Sequence, residues 1–255
     1  MVELIVMHQR TFKLTIAYDG TEYHGWQIQP GLKTVQSTLC DAVSKVCQTS
    51  THVQGSGRTD AGVHAQGQVG VFKTCHHQAM ETLPLAINQH LPRDIVVRQA
   101  EEVAPDFDVI RHVTQKHYQY TLHLSSVPDV RTARFSWLYP GQLECHAMRQ
   151  AAQYLVGEHD FRSFACTVEP DQNTVRTIHA CDIHLSEQNT DTLVIDVKGH
   201  GFMHHMVRIM VGTLVDIGKG HWPASHMPNI LAARNRKAAG YLAPPEGLCL
   251  MAVEY

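Results

Sequence analysis

The chain has 255 residues, of which 44% are hydrophobic and 18% are charged, so it has enough apolar material for one large domain or two small ones. This composition excludes a disordered or low-complexity chain. Lysine and arginine total 21 against 24 acidic residues, a net charge of −3. A globally basic nucleic-acid binder is therefore excluded, whereas a local basic groove is not.

Membrane and export signals are missing from the sequence. No apolar run approaches the roughly 18 residues that a membrane helix needs, and residues 1–10 lack the order of a signal peptide. The seven cysteines are odd in number, scattered and never spaced as C-x-x-C. They favour buried thiols in a reducing compartment over a disulfide framework or a zinc knuckle. These features predict a soluble cytoplasmic protein.

The first half of the chain predicts strands and helices on either side of a glycine-rich loop. Residues 12–18 alternate between apolar and polar side chains, as in a half-buried strand. Thr34 is a suitable N-cap for a helix over 35–48, with Gln36 on its solvent side. The remaining predictions are a loop over 55–67, a strand over 68–74, a helical stretch over 77–90 and a short strand over 95–97.

The second half follows a crossover at about 105–114. Its periodicity predicts strands over 118–124, 176–186, 192–198 and 248–253, and helices over 143–156, 202–217 and 227–235, the first of them ending at Gly157. Hairpin-length gaps imply antiparallel pairing. We therefore expect an α+β fold of two similar lobes, 1–110 and 111–255, each a mostly antiparallel sheet with helices packed on it, with the active-site cleft between them.

The segment from Gly55 to Ala65, G-S-G-R-T-D-A-G-V-H-A, carries the most information. Asp60 occupies a position where a dinucleotide-binding loop needs glycine, and no G-K-[ST] follows, so neither nucleotide-binding motif is present. A plain surface turn with Asp60 as a helix cap does not account for Arg58 and Asp60 together between glycines. A carboxylate beside a guanidinium stays ionised, and it can attack an electrophilic sugar or base.

At this point the sequence resembles a known family, because G-R-T-D-A-G-V-H-A is similar to the catalytic motif of the anticodon-arm pseudouridine synthases. The resemblance continues in family order along nearly the whole chain. Its further motifs are Y-D-G-T-E-Y-H-G-W-Q, L-P-x-D-I, K-x-Y-x-Y, G-E-H-D-F, R-T-I, F-M-H-H-M-V-R and G-L-x-L-x-x-V. One departure is Ile110, which stands where the family usually has arginine. It weakens an RNA contact there and leaves the catalytic positions unchanged.

The resemblance implies an isomerase that converts uridine to pseudouridine at positions 38, 39 and 40 of tRNA, without any cofactor. It implies that Asp60 is the nucleophile, attacking either C1′ of the sugar or C6 of the base, and that Arg58 fills the stack left by the flipped nucleotide. Tyr118 would stack on the uracil, and Leu248 would line the pocket floor. Arg208 would pair with Asp60. Members of the family are homodimers that hold each tRNA across both subunits.

Each of these residues also has a simpler explanation. Arg58 would then only hold the loop through an ion pair, and Tyr118 and Leu248 would be ordinary core residues of strands. Arg208 would be a surface arginine, which is the usual position of an isolated arginine on a helix.

Two other classes of protein compete with the isomerase. A metal-dependent hydrolase would use His200, His204 and His205, the first two spaced as on one helix face, or the run Glu158-His159-Asp160. No glutamate follows His200 as H-E-x-x-H requires, and Gly201 disfavours a helix there, so no metal site is predicted. A non-catalytic RNA-binding module is the second alternative, but such a module has no use for a carboxylate that faces phosphates.

Overall fold

The computed structural model describes residues 9–75, 79–169, 171–187 and 189–255. The chain divides into two compact units, one that runs to Val113 and includes Tyr255, and one from Thr114 to Glu254. Both units mix strands and helices, which confirms the α+β prediction. Parts of two sequence predictions lie outside the described residues: positions 1–8 of the chain start, and positions 77 and 78 of the expected helical stretch.

The first unit is an antiparallel sheet with two helices. Strand β1 lies between β4 and β3, and the short β2 pairs with β3. The bounds are β1 Arg10–Tyr18, α1 Val35–Cys47, β2 Gln54–Gly55, β3 His64–Thr74, α2 Leu83–Asn88 and β4 Ile95–Val103.

Strand boundaries in this unit depend on pairing that the local pattern does not reveal. The apolar face predicted for β1 is confirmed, since all four of its members are buried: Phe12, Leu14, Ile16 and Tyr18. Strand β3 begins at His64, four residues before the predicted start, because Ala65 already pairs with Tyr18. Strand β4 extends well past the predicted end at residue 97, because it pairs with β1 as far as Val103.

Helix α1 begins at the predicted residue, but its second residue, Gln36, does not lie in solvent as predicted. The Thr34 hydroxyl accepts a hydrogen bond from the Ser37 N–H at 3.2 Å, which is one half of a capping box. The solvent position predicted for Gln36 is wrong, because this residue is only 2% exposed. Its side chain accepts from the Ile28 N–H at 3.0 Å and donates to the Val53 carbonyl at 2.9 Å, so both ends of the buried amide are hydrogen-bonded.

The second unit is a larger sheet in the order β10-β5-β9-β8-β7, with antiparallel pairing throughout. The short β6 pairs parallel with β5. Helix α4 is buried along its whole length and contacts α3. The bounds are β5 Gln115–His123, β6 Trp137–Leu138, α3 Cys145–Gln153, β7 Gly157–Asp160, β8 Val175–Leu185, β9 Thr192–Gly199, α4 Met206–Gly218, α5 Met227–Ala233 and β10 Leu248–Glu254.

Two helix boundaries predicted for this unit are wrong. Helix α3 has Tyr154 as its C-cap, and Gly157, with φ 110°, begins β7 and does not end the helix. Helix α4 begins at Met206, not at residue 202, because His205 has a left-handed φ of 63° that breaks the helical path. Within the described residues, no helix combines the length and apolar character needed to cross a membrane.

Candidate active site

The loop between β2 and β3 presents Asp60 and Arg58 on the first unit. Thr59 lies between them and is 6% exposed, whereas Arg58 is exposed and Asp60 is half-buried. Because the Thr59 side chain points into the unit, the side chains of Arg58 and Asp60 on either side of it point outward. A β-turn follows at once, in which the Val63 N–H donates to the Asp60 carbonyl at 3.1 Å and Gly62 takes φ 78°. A left-handed glycine at this position of the turn is typical of type II.

Two glycines of the preceding segment let the chain approach this loop closely. A Cβ on Gly25 would lie 2.5 Å from the Thr59 carbonyl oxygen, and one on Gly20 would lie 2.0 Å from that of Val63. Real Cβ atoms do not approach carbonyl oxygens so closely, so only glycine fits either position. The Trp26 N–H uses this proximity to donate to the Thr59 carbonyl at 3.1 Å. The segment beginning at Tyr18 is therefore the support of the Asp60 loop.

Side-chain hydrogen bonds also hold the Asp60 loop in place. The hydroxyls of Tyr18 and Thr59 share a buried hydrogen bond of 2.8 Å. On the other side, the Gln68 amide donates to the Gly57 carbonyl at 3.1 Å and accepts from the Ser56 hydroxyl at 2.9 Å. These supporting residues were missed from the sequence. The available signal was the series of polar side chains inside otherwise apolar strands, which are costly to bury unless they bond something specific.

His64 also connects the end of the Asp60 loop to the segment that follows Tyr18. The Gly20 N–H donates to His64 Nδ1 at 3.0 Å, and the Asp19 carboxylate lies 3.3 Å from the same nitrogen. His64 is 2% exposed, so the imidazole is a structural part of the turn. Asp60 is thus carried on a short segment that is bonded on several sides, which is the arrangement that a nucleophile needs to hold its position.

Tyr118 and Leu248 lie on one buried face of the second unit. Tyr118 is 8% exposed and pairs with Leu250 across the β5–β10 ladder, while Leu248 pairs with Tyr120. The Tyr118 ring meets the Phe202 ring edge to face, with centroids 5.2 Å apart. Both predicted substrate contacts are therefore neighbours on the same patch of sheet.

Arg208 is buried on α4, where it is only 8% exposed. The alternative that it is a surface arginine is therefore wrong. Its Nε donates to the Ala243 carbonyl at 2.7 Å, and the Ala243 N–H donates to the Arg208 carbonyl at 3.2 Å. A buried guanidinium is costly unless it is hydrogen-bonded or paired with an anion. These two bonds fix its stem beside the segment that leads into β10.

Tyr120 ties the same segment to the sheet. Its hydroxyl donates to the Pro244 carbonyl at 2.8 Å, and burial raises the pKa of this phenol, so it stays neutral. A Cβ on Gly247 would lie 2.5 Å from the Tyr120 ring, which explains the glycine immediately before Leu248.

Lys116 lies on β5, and His200, His204 and His205 follow β9. Burial lowers the pKa of Lys116 from 10.5 to about 8. His200 follows β9 on a bend, and α4 begins only at Met206, so no helix face joins His200 to His204. The His204 and His205 rings stack with centroids 3.6 Å apart.

The alternative metal run Glu158-His159-Asp160 lies on strand β7, and not in a solvated turn at a helix end. Its Asp160 accepts from the Thr174 hydroxyl at 2.6 Å and pairs with Arg234 at 3.0 Å. The carboxylate is therefore occupied within the protein.

Ile110 is 54% exposed on a turn where its N–H donates to the Asp108 carboxylate at 2.9 Å. Of the five predicted site residues, Asp60 and Arg58 belong to the first unit, and Tyr118, Leu248 and Arg208 belong to the second.

Comparison with known proteins identifies the class to which this architecture belongs. A family model described as tRNA pseudouridine synthase matches residues 14–110 and 151–255. The chain therefore belongs to the tRNA pseudouridine synthase family, whose members are isomerases that act on tRNA.

Individual relatives carry the name tRNA pseudouridine synthase A and match almost end to end. The protein of Moorella thermoacetica is 45% identical over 95% of this chain and 98% of its own. Those of Geotalea daltonii and Geobacter sulfurreducens are 41% and 39% identical over 96% of this chain and 100% of theirs. A solved dye-decolorizing protein from V. cholerae matches at 10% identity with a TM-score of 0.20, which is too low for any argument.

Proposed function

We propose that this protein isomerises uridine to pseudouridine at positions 38, 39 and 40 in the anticodon stem and loop of tRNAs, with Asp60 as the nucleophile. The observation that supports this most strongly is the presentation of Asp60. Thr59 anchors the loop inward, the turn to Val63 fixes it from the other side, and the Asp60 carboxylate is left half-buried.

The reaction needs a reactive carboxylate and a uracil that has left the RNA duplex. A uridine inside a duplex is unreachable, so the nucleotide is flipped into the site. Asp60 then attacks either C1′ of the ribose or C6 of the uracil. The N1–C1′ bond breaks, the uracil turns, and C5 bonds to C1′. The C5 proton leaves, N1 regains a proton, and the carboxylate is released unchanged, so no redox partner is consumed.

The other predicted residues have supporting roles in this proposal. Tyr118 stacks on the flipped uracil through its ring, and Leu248 lines the pocket floor. Aromatic stacking on a base is worth about 1–3 kcal/mol. Arg58, which is exposed beside the nucleophile, fills the vacated stack and contacts phosphate.

Arg208 keeps Asp60 ionised in this proposal. An arginine within about 4–6 Å typically lowers a carboxylate pKa by 1–3 units, which protects the charge that a nucleophile needs. Its burial with a fixed stem supports this role, because a buried guanidinium with a committed orientation suits a single anionic partner.

We further propose that the protein is a cytoplasmic homodimer that holds each tRNA across both subunits, and that residues 1–110 and 111–255 form its two lobes. The end of the first matched segment at residue 110 supports the boundary between the lobes. A metal-dependent hydrolase is less well supported, because His200 and His204 do not share a helix. A non-catalytic binding module is excluded by the enzyme family.

The test is incubation of the purified protein with an unmodified tRNA transcript that carries uridine at positions 38, 39 and 40, followed by chemical mapping of pseudouridine. We expect modification at these positions and at no uridine elsewhere in the tRNA. Transcripts with cytidine at the three positions are the control. Modification confined to another arm would contradict the proposed site while leaving the class of enzyme intact.

A further inference from the structure

A pocket of about 340 Å³ lies in the second unit, among α3, β7 and α5. Its lining includes Tyr154, His159, Pro228, Leu231 and Arg234, none of which belongs to the proposed reaction site. Ligand pockets in proteins fall in the range of about 300–1,000 Å³, so this one is large enough for a planar ring.

The walls of this pocket are apolar and aromatic. Tyr154, the C-cap of α3, is 44% exposed, so its ring is only partly used by the protein core. Pro228 and Leu231 come from α5 and form the aliphatic side. A half-exposed aromatic ring that shares a pocket with aliphatic side chains is a surface on which a flat heterocycle can stack.

The His159 ring is held in one orientation. Its Nε2 lies 3.0 Å from the Val156 carbonyl, and since a carbonyl can only accept, Nε2 is the donor. The ring also meets Phe161 edge to face at 5.9 Å. In the neutral imidazole Nδ1 is therefore an acceptor, which is suited to an N–H group of a nucleobase.

Arg234 places a guanidinium at the rim of the pocket. Arg234 Nε forms an ion pair with Asp160 Oδ2 at 3.0 Å, yet the Arg234 side chain is 67% exposed. A guanidinium has five N–H donors, and a largely exposed guanidinium can offer several of them to a ligand. A guanidinium suits a phosphate, because it can donate two parallel hydrogen bonds to the phosphate oxygens.

The backbone at Arg234 supports a fixed placement for this side chain. Arg234 is the C-cap of α5 with φ 47°, a left-handed conformation that helix ends usually give to glycine or asparagine. The Asp160 carboxylate that holds it is itself bonded by the Thr174 hydroxyl at 2.6 Å and the Arg162 N–H at 3.0 Å. The charged group at the rim is thus positioned by the fold.

We propose that this pocket binds an unpaired base of the tRNA outside the reaction site, with the base stacked between Tyr154 and Leu231 and its phosphate on Arg234. The inference rests on the proposed function, because it takes tRNA as the partner. A folded tRNA offers exposed bases in its loops and at its 3′ end, each attached to a phosphate, and the pocket lining combines a stacking surface, Tyr154, with a cation, Arg234. The contact serves affinity and takes no part in the chemistry.

The experiment measures tRNA affinity and chemistry separately. Tyr154→Ala and Arg234→Gln are compared with two matched controls in the same unit. Phe135→Ala removes an aromatic ring that is 45% exposed, and Arg131→Gln removes an exposed guanidinium that pairs with Asp129 at 3.4 Å. The dissociation constant of unmodified tRNA and the single-turnover rate at saturating tRNA are determined for each variant, and circular dichroism checks its fold.

We expect each pocket variant to weaken tRNA binding about tenfold, within the range known for the loss of one stacked base, while the saturated rate stays at the wild-type value. The two controls should bind like the wild type. Wild-type affinity in both pocket variants, or an equal loss in the controls, would overturn the inference. A change in oligomeric state with unchanged tRNA affinity would show an interface between copies, which also overturns it. Wild-type protein that forms no pseudouridine would instead refute the proposed function.

Discussion

Gly25 offers a direct test of whether the segment 19–27 positions the nucleophile. Its φ is 80°, and a Cβ there would lie 2.5 Å from the Thr59 carbonyl oxygen and 3.0 Å from the Asp60 carbonyl carbon. Ordinary contact begins at 3.4 Å, so the alanine methyl requires a displacement of about 0.9 Å. Both neighbours are backbone atoms that cannot move away by a change of rotamer, so the loop itself has to shift.

The size of the effect follows from two contributions. A left-handed conformation costs a non-glycine residue about 1–2 kcal/mol, and relieving an overpacked contact through the backbone costs about 1–3 kcal/mol more. Gly25→Ala should therefore lower the free energy of unfolding by about 2–5 kcal/mol. A misplacement of about 1 Å at a reacting group can reduce the rate on the order of 100-fold, and we expect a loss of that order in single-turnover pseudouridine formation.

Gly31→Ala is the matched control. Gly31 also has a left-handed φ, of 74°, but a Cβ there would have nothing within 4 Å. This variant should show the conformational cost alone, about 1–2 kcal/mol, with a wild-type single-turnover rate. Chemical denaturation and single-turnover assays on the two variants separate the effects. If Gly25→Ala folds and turns over as fast as Gly31→Ala, the loop does not depend on this support, and the reasoning is refuted.

Three further predictions concern the second unit and the RNA. Tyr118→Phe should keep most of the activity, while Tyr118→Ala loses most of it, because in the proposed function the ring and not the hydroxyl stacks on the base; equal rates in the two variants would contradict this. Arg208→Lys should reduce the saturated rate more than the tRNA affinity and should move the acid limb of the pH–rate profile to higher pH, since a lysine is a poorer partner for Asp60 in the proposed function. An acid limb at the wild-type pH, together with weaker tRNA binding, would make Arg208 an RNA contact. Because the pKa of Lys116 is lowered in the folded protein, the unfolded chain binds more protons than the folded one between pH 8 and 10.5. Over this interval the unfolding free energy of the wild type should therefore rise by on the order of 3 kcal/mol relative to that of Lys116→Met. A difference between the two proteins that stays constant with pH would contradict this.

The parts of the fold that were predictable from the sequence are those in which a local pattern suffices. The alternation in β1 identified a strand with one buried face, and Thr34 identified the first turn of α1. Gln36 was placed in solvent because glutamine on a helix usually is. Its burial depends on two backbone groups, at Ile28 and Val53, whose positions no local pattern contains.

The candidate site shows the same division. Asp60 and Arg58 stood out because a carboxylate and a guanidinium between glycines have few structural uses. The supports of the loop did not stand out, since a tyrosine such as Tyr18 in a strand reads as core until its hydroxyl is seen to bond Thr59. Likewise, the first turn predicted for α4 is absent because His205 has a left-handed backbone, a conformation that no residue preference predicts.

The most direct test of the central claim is the release of tritium from tRNA that carries [5-³H]uridine, measured for the wild type and for Asp60→Asn. Formation of the C5–C1′ bond expels the hydrogen on C5, so tritium in water reports the chemical step itself. The asparagine is nearly isosteric and leaves the loop backbone bonds in place, so tRNA affinity should be retained. We predict stoichiometric release by the wild type and none by Asp60→Asn with bound tRNA. Release by Asp60→Asn at a rate near that of the wild type would contradict the assignment of Asp60 as the nucleophile.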